Sequence, residues 1–297
     1  MAPIPTLPVR DERVRRIAVA AAKGGGGLLG VGTAIAGAAI GAAAIQARRA
    51  KRAIGPRRAA PPYADGRYLP TGWTTARGTS LRLAVLGDSG AAGLGAEDAA
   101  GTPGAVLAKG LADAAQRSVV LTNVAVVGAR SADLAAQVDR ALAVRPHIAV
   151  VMVGANDVTH LVRPQVSARL LADAVRRLRE AGAEVVVGTC PDLGTIRPLG
   201  PPLRQYARRM SRELAGAQDI CVREAGGRPV PLGHLLSPAF DADPDLYFSA
   251  DRFHPSTAGY VACSRVLHTE VLAAAGLPER TRPPLPAGPD AVGVPLP

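Results

Sequence analysis

Three short stretches carry residue types that could act together on an acyl group: Gly87-Asp88-Ser89-Gly90, Gly154-Ala155-Asn156-Asp157 and Asp251-Arg252-Phe253-His254. A serine hydroxyl is a useful nucleophile only when a base takes its proton, and histidine suits that task near neutral pH. An aspartate three residues before the histidine, on a turn, can hold the ring in one tautomer. Asp251 and His254 have that offset directly before Pro255 and an apolar helical pattern. Charge developing on an attacked carbonyl oxygen needs N–H donors. The candidates are backbone amides beside Ser89, the amide of Gly128 and the side-chain NH2 of Asn156. Each has an ordinary alternative: a Ser/Asp turn, a tight-turn glycine and a turn residue bonded to its own backbone. His160, just past the second stretch, is the rival base and reads as a surface or helix-entrance residue. No His-Glu-x-x-His or other metal-ligand spacing occurs, and the run Gly24–Gly27 lacks the Gly-Lys-Ser/Thr of a phosphate loop. Neither a metal nor an organic cofactor is expected.

These residues can meet only if the elements between them bring them together. Apolar, β-branched runs predict strands over residues 81–86, 119–126, 147–153 and 184–190, with a short edge strand at 229–232 whose prolines bar it from the centre. Thr102-Pro103 opens a helix to about residue 117, and Ser131 is a candidate cap for one to about 142. After Arg163 an amphipathic pattern places Val166, Leu170, Leu171, Ala174, Val175 and Leu178 on one face. Further helices are predicted over 202–224 and 255–275, and the loops at 191–201 and 234–248 are expected to shape a pocket. Such alternation predicts a mostly parallel sheet with helices on both faces. Right-handed crossovers align the strands' carboxyl ends along one edge, where open α/β sheets place their chemistry.

The four blocks, Gly-Asp-Ser at Ser89, Gly128, Gly-x-Asn-Asp at Asn156 and Asp-x-x-His at Asp251/His254, resemble the SGNH/GDSL hydrolase superfamily in order and separation over residues 81–276. The resemblance implies a flavodoxin-like, three-layer α/β/α fold with a mostly parallel five-stranded sheet. It also implies Ser89, His254 and Asp251 as a catalytic triad, with an oxyanion hole from the Ser89 amide, the Gly128 amide and the Asn156 side chain. The expected activity is a serine esterase working through an acyl-serine, on a small-molecule or lipid-like ester. Gly90 departs from the pattern, where leucine is common, and this bears on substrate class rather than catalysis. An acyltransferase or carbohydrate deacetylase of envelope material, and a catalytically silent membrane-tethered domain, are the alternative readings. With three lysines against 32 arginines, the bias resembles actinobacterial members that are exported or membrane-attached.

The net charge of +11 sits mostly at one end. Residues 1–60 carry +9 and the remaining 237 only +2. No aromatic–basic stacking pattern accompanies this charge, so nucleic acid is not an expected partner. An uncharged run of 18 residues at 28–45 lies between basic flanks. It reads as a single-pass anchor, a cleaved export signal or a loosely packed soluble helix, because a span usually needs about 20 apolar residues. Arg48, Arg49, Lys51 and Arg52 beside it suit anionic lipid headgroups. The expected organisation is a basic arm (1–27), an apolar helix (28–47), a linker (48–80), the hydrolase domain (81–276) and a proline-rich tail (277–297). Cys190, Cys221 and Cys263 are odd in number and widely spaced, which argues against a disulfide framework or zinc site.

Overall fold

A computed structural model of the chain describes residues 60–278. Strands form where the apolar runs are uninterrupted. They are β1 (Gly66–Tyr68), β2 (Leu81–Gly87), β3 (Val119–Asn123), β4 (Ile148–Met152), β5 (Glu184–Gly188) and β6 (Arg228–Val230). One six-stranded sheet results, in the order β1-β3-β2-β4-β5-β6. Neighbours pair in parallel except β1, which runs antiparallel to β3.

Every residue of β4 is buried because helices cover both faces of the sheet. Alternate side chains enter two cores. Leu83, Val85, Ile148 and Val150 pack beneath α2 (Pro103–Ala115) and α9 (Thr257–Ala274). Ala84, Leu86, Ala149 and Val151 pack beneath α3 (Leu134–Ala143) and α5 (Pro164–Glu180). The helices start where local chemistry satisfies their free amides. Thr102 Oγ1 accepts from Ala105 N–H at 3.3 Å with Pro103 at the first position, and Ser256 Oγ accepts from Gly259 N–H at 3.1 Å to open α9. α5 buries Leu171, Ala174, Val175 and Leu178 on one face and ends with Arg177 and Arg179, favourable charges at a helix carboxyl end.

Numbered among themselves, the five parallel strands run 2-1-3-4-5, the flavodoxin-like order. The direction of winding switches between β2 and β4, and ligands of such sheets bind outside the carboxyl ends at that switch. Ser89 lies two residues past β2, and Asn156 lies four past β4.

The sheet differs from the expected five strands by β1, which falls in the stretch read as a linker. Three residues carry no usable period, and their pairing is tertiary: Tyr68 lies opposite Val119, and Asp65 Oδ1 accepts from Asn123 N–H at 2.8 Å. β3 ends at Asn123 rather than 126, because Asn123 Oδ1 accepts from Ala125 N–H at 2.9 Å and turns the chain. Ser131 does not cap α3; it opens a 3-10 turn (Ser131–Asp133), and its hydroxyl donates to Asp157 at 3.1 Å. The helix expected over 202–224 is α6 (Leu203–Glu224), and the second expected pocket loop contains α7 (Leu232–Ala242) and α8 (Pro244–Tyr247), hidden from pattern reading by Pro231, Pro238 and Pro244. The apolar run at 28–45, the basic arm and the tail beyond 278 lie outside the described residues. Among the described residues, no helix is long and apolar enough to cross a membrane. The three cysteines are unpaired, with Cys190 and Cys263 buried.

Candidate active site

The nucleophile candidate is positioned by the way β2 ends. Gly87 has φ +138°, and a Cβ there would lie 1.8 Å from Met152 O, so only glycine fits. Asp88 N–H then donates to Met152 O at 3.0 Å, tying the exit of β2 to β4. From α3, the buried Gln137 bonds both sides of Gly87: Oε1 accepts from its N–H at 2.7 Å and Nε2 donates to its carbonyl at 2.9 Å. Ser89 begins the one-turn helix α1 (Ser89–Ala92), capped by Asp88 Oδ1 accepting from Gly90 N–H at 2.9 Å. The hydroxyl therefore stands at the carboxyl edge of the sheet on a short, well-braced turn.

His254 reaches it from a loop that folds on itself. Ser249 N–H donates to His254 O and Arg252 N–H to Ser249 O, both at 2.8 Å. Asp251 Oδ1 accepts from Ser249 Oγ (2.9 Å), Phe253 N–H (2.9 Å) and His254 N–H (2.8 Å). Its Oδ2 lies 2.6 Å from His254 Nδ1. An ionised carboxylate can only accept, so Nδ1 carries the ring proton and Nε2 presents a lone pair. That Nε2 lies 3.0 Å from Ser89 Oγ. The Phe253 ring stands edge-on to the imidazole at 4.9 Å. Gly95 lets the opposite loop close in, since a Cβ there would meet Pro255 O at 2.5 Å.

Charge is distributed unevenly over the acids. Burial pushes Asp251 up, but hydrogen bonds from the His254 ring and from the His254 and Phe253 amides outweigh it and hold the carboxyl at about 2. Asp88 goes the other way. Burial raises it to about 6, against the opposing pull of the Gly90 amide and His254. Burial also pushes the Cys263 thiol up to about 12, so it stays protonated and is no rival nucleophile.

Asn156 belongs to α4 (Ala155–Thr159), directly after β4. Its Nδ2 donates to Ala129 O at 3.0 Å, which links it to the residue after Gly128 and leaves one amide hydrogen over. Val126 N–H donates to Gly87 O at 3.1 Å, so the loop bearing Gly128 runs beside the Ser89 turn. The candidate donors thus sit on loops either side of β2. Their brace is Asp157, a buried residue that sequence reading left without a role. It accepts from Ser131 N–H (3.0 Å), Ser131 Oγ (3.1 Å) and Ser167 Oγ (3.0 Å). Its place in Gly-x-Asn-Asp was a signal, but its partners are 26 and 10 residues away. His160 is not brought to Ser89; it ends α4 on the surface with Nδ1 2.8 Å from Asn156 O. Among the described residues, no group of three or more His, Cys, Asp or Glu side chains is gathered as metal ligands would be.

Beside Ser89 and His254 lies a cavity of about 910 Å³ including the open solvent at its mouth. Its walls come from the ends of β4 and β5, the turn at 191–196, α7 and the start of α9.

The model of the GDSL-like lipase/acylhydrolase family matches residues 85–262, more than half of the chain. The GDSL-like esterase Rv1075c of Mycobacterium tuberculosis is 46% identical over 229 residues, covering 75% of this chain and 73% of that one. Among solved structures, a lipase/acylhydrolase from Enterococcus faecalis is matched over 68% of this chain and 100% of that chain, with TM-score 0.51 and 18% identity. A catalytic mutant of Axe2, an acetylxylan esterase from Geobacillus stearothermophilus, is matched over 70% of this chain and 100% of that chain, with TM-score 0.50 and 19% identity. At such identities the two structures speak to the fold. Sheet order and the family match over residues 85–262 lead to one conclusion: the chain belongs to the GDSL-like lipase/acylhydrolase family and is an SGNH-type hydrolase.

Proposed function

We propose that the chain is a serine esterase that cleaves carboxylic esters through an acyl-enzyme on Ser89. The observation carrying this reading is the unbroken run from Ser89 Oγ through His254 to Asp251, at 3.0 Å and 2.6 Å. His254 Nε2 takes the Ser89 proton as Oγ attacks the ester carbonyl. The imidazolium so formed faces a carboxylate that is ionised throughout the neutral range, since Asp251 sits at about 2. The Ser89 amide, the Gly128 amide and the spare Asn156 amide hydrogen receive the oxyanion. His254 then gives its proton to the departing alcohol, and water attacks the acyl-serine with the same histidine as base. Membership of the family supports ester hydrolysis in general; the roles of the individual residues rest on the geometry.

The test is Ser89→Ala on p-nitrophenyl acetate. A loss of kcat of at least ~10³ with unchanged thermal melting is expected, the size of triad losses in serine hydrolases. Undiminished turnover would refute the assignment.

A further inference from the structure

Two buried glutamines, Gln137 on α3 and Gln218 on α6, each use both ends of the amide on main chain at the strand exits. Gln137 Oε1 accepts from Gly87 N–H (2.7 Å) and its Nε2 donates to Gly87 O (2.9 Å). Gln218 Oε1 accepts from Cys190 N–H (2.7 Å) and its Nε2 donates to Val153 O (3.0 Å). Both glutamines hold peptides that lead to the candidate oxyanion donors. Gly87 O also accepts from Val126 N–H at 3.1 Å, and Val126 O from Ala129 N–H at 3.0 Å. The loop carrying Gly128 therefore hangs on the carbonyl that precedes Asp88 and Ser89. Val153 O belongs to the peptide that enters α4 and Asn156. The N–H of that peptide, on Gly154, donates to the Asp88 carboxyl, whose Oδ1 caps the Ser89 turn through Gly90 N–H.

An apolar side chain at position 137 would suit the core as well, since its neighbours on that face of α3 are Leu134, Val138 and Ala141. A primary amide is costly to bury unless its polar atoms are paired, and here both ends are. Buried networks satisfied in this way hold the backbone in one arrangement. Donors to an oxyanion must be kept within about 0.5 Å of their productive positions, yet Ser89, Gly128 and Asn156 come from the exits of three different strands. We infer that Gln137 and Gln218 are positioning residues that set these three donors in register with one another. Gln137 locks the Ser89 turn to the Gly128 loop, and Gln218 locks the entry to Asn156. α3 packs on the face of the sheet opposite α9, the helix that follows His254. Gln137 therefore acts through the donors' backbone rather than through the base. The inference rests on the proposed reading of Ser89 as nucleophile with those donors.

Gln137→Met and Gln218→Met remove each pair of bonds at similar side-chain volume. Hydrolysis of p-nitrophenyl acetate is followed well below the melting temperature. The rate is divided by the active serines counted by complete fluorophosphonate labelling, so that unfolded protein drops out. Each variant should lose about 10²-fold in kcat, the cost of a misplacement near 1 Å. KM should stay within about threefold, because neither glutamine lines the cavity. Val138→Ala opens a hole beside the same helix without touching Gly87, and should lower Tm while leaving kcat per active serine unchanged. Gln137→Glu is the conservative rescue, since a protonated carboxyl accepts from Gly87 N–H and donates to Gly87 O as the amide does. A buried glutamic acid stays protonated at about pH 6, so there Gln137→Glu should exceed Gln137→Met at least tenfold in kcat. Gln218→Met carries the same test should Gln137→Met not fold. The inference falls if either methionine variant keeps kcat per active serine within about threefold of the wild type, if Gln137→Glu is no better than Gln137→Met, or if Val138→Ala loses as much. With Ser89→Ala inactive on the same ester, the nucleophile would still stand. If Ser89→Ala matches the wild type, the inference and the reading beneath it fall together.

Discussion

Asp251→Asn separates the orientation of the histidine from the integrity of its loop. Oδ1 of Asp251 accepts from Ser249 Oγ and from the Phe253 and His254 amides, and an asparagine oxygen can accept the same three. Oδ2, 2.6 Å from His254 Nδ1, becomes an NH2 that cannot accept from Nδ1–H. The ring must then turn its Nδ1 lone pair to the new amide and carry its proton on Nε2, facing Ser89 Oγ. The base is lost although the atoms barely move. The same substitution in a serine-protease triad costs about 10⁴ in kcat, and a loss of that order is expected here. KM should move by only a few-fold, because Asp251 does not line the cavity. Three bonds change from a charged to a neutral acceptor. With the side chain 29% exposed, solvent screening discounts the loss to about 1–2 kcal/mol in all, or a few degrees in Tm. The sign follows from the lowered pKa. The charge stabilises the fold above the unfolded value of 3.8, and this is lost as pH falls towards about 2. Wild type and variant should therefore converge in stability only as pH falls to about 2 and below. Steady-state ester hydrolysis and denaturant unfolding across pH measure both effects. A kcat within tenfold of the wild type in a folded protein would refute the claim that Asp251 sets the tautomer.

Other expectations follow from the same contacts. Asn156→Ala should lower kcat by ~10²–10³ with little change in KM, as removal of one oxyanion donor does; an equal fall in binding alone, read by steady-state kinetics, would contradict that role. Asp88 is raised to about 6 by burial, so between 3.8 and 6 the fold holds a proton that the unfolded chain has lost. Wild-type stability should therefore fall relative to Asp88→Asn as pH rises through that window, by up to ~3 kcal/mol, and then run parallel above it. Urea unfolding of both proteins at intervals of one pH unit reads this directly. Asp157→Ala leaves three buried donors from Ser131 and Ser167 unpaired and should cost at least ~3 kcal/mol of stability. A denaturant midpoint close to that of the wild type would show the brace to be unimportant.

The central strands and the residues at their ends were legible because both are local. A strand covered on two faces is a continuous apolar run, as at 148–152, and a glycine at its exit announces the turn that follows. Thr102-Pro103 likewise announced α2 in two residues. What escaped reading depends on partners distant in the chain. β1 exists because Tyr68 finds Val119, and α7 bears prolines that pattern reading takes as loop. Ser131 has the chemistry of a helix cap, yet a buried carboxylate 26 residues away competes for it and wins. The loops at 191–201 and 234–248 were expected to shape a pocket, but which side chains line it, Met152 and Leu232 from outside those loops among them, is decided only by folding.

The central claim is that Ser89 is activated by His254. A fluorophosphonate reports on this directly, because Oγ attacks phosphorus and fluoride leaves with no deacylation to follow. Intact mass and peptide mapping should find one adduct, on Ser89, and His254→Ala should slow its formation by at least ~10³. An adduct on another residue, or labelling of Ser89 as fast without the imidazole as with it, would contradict the account.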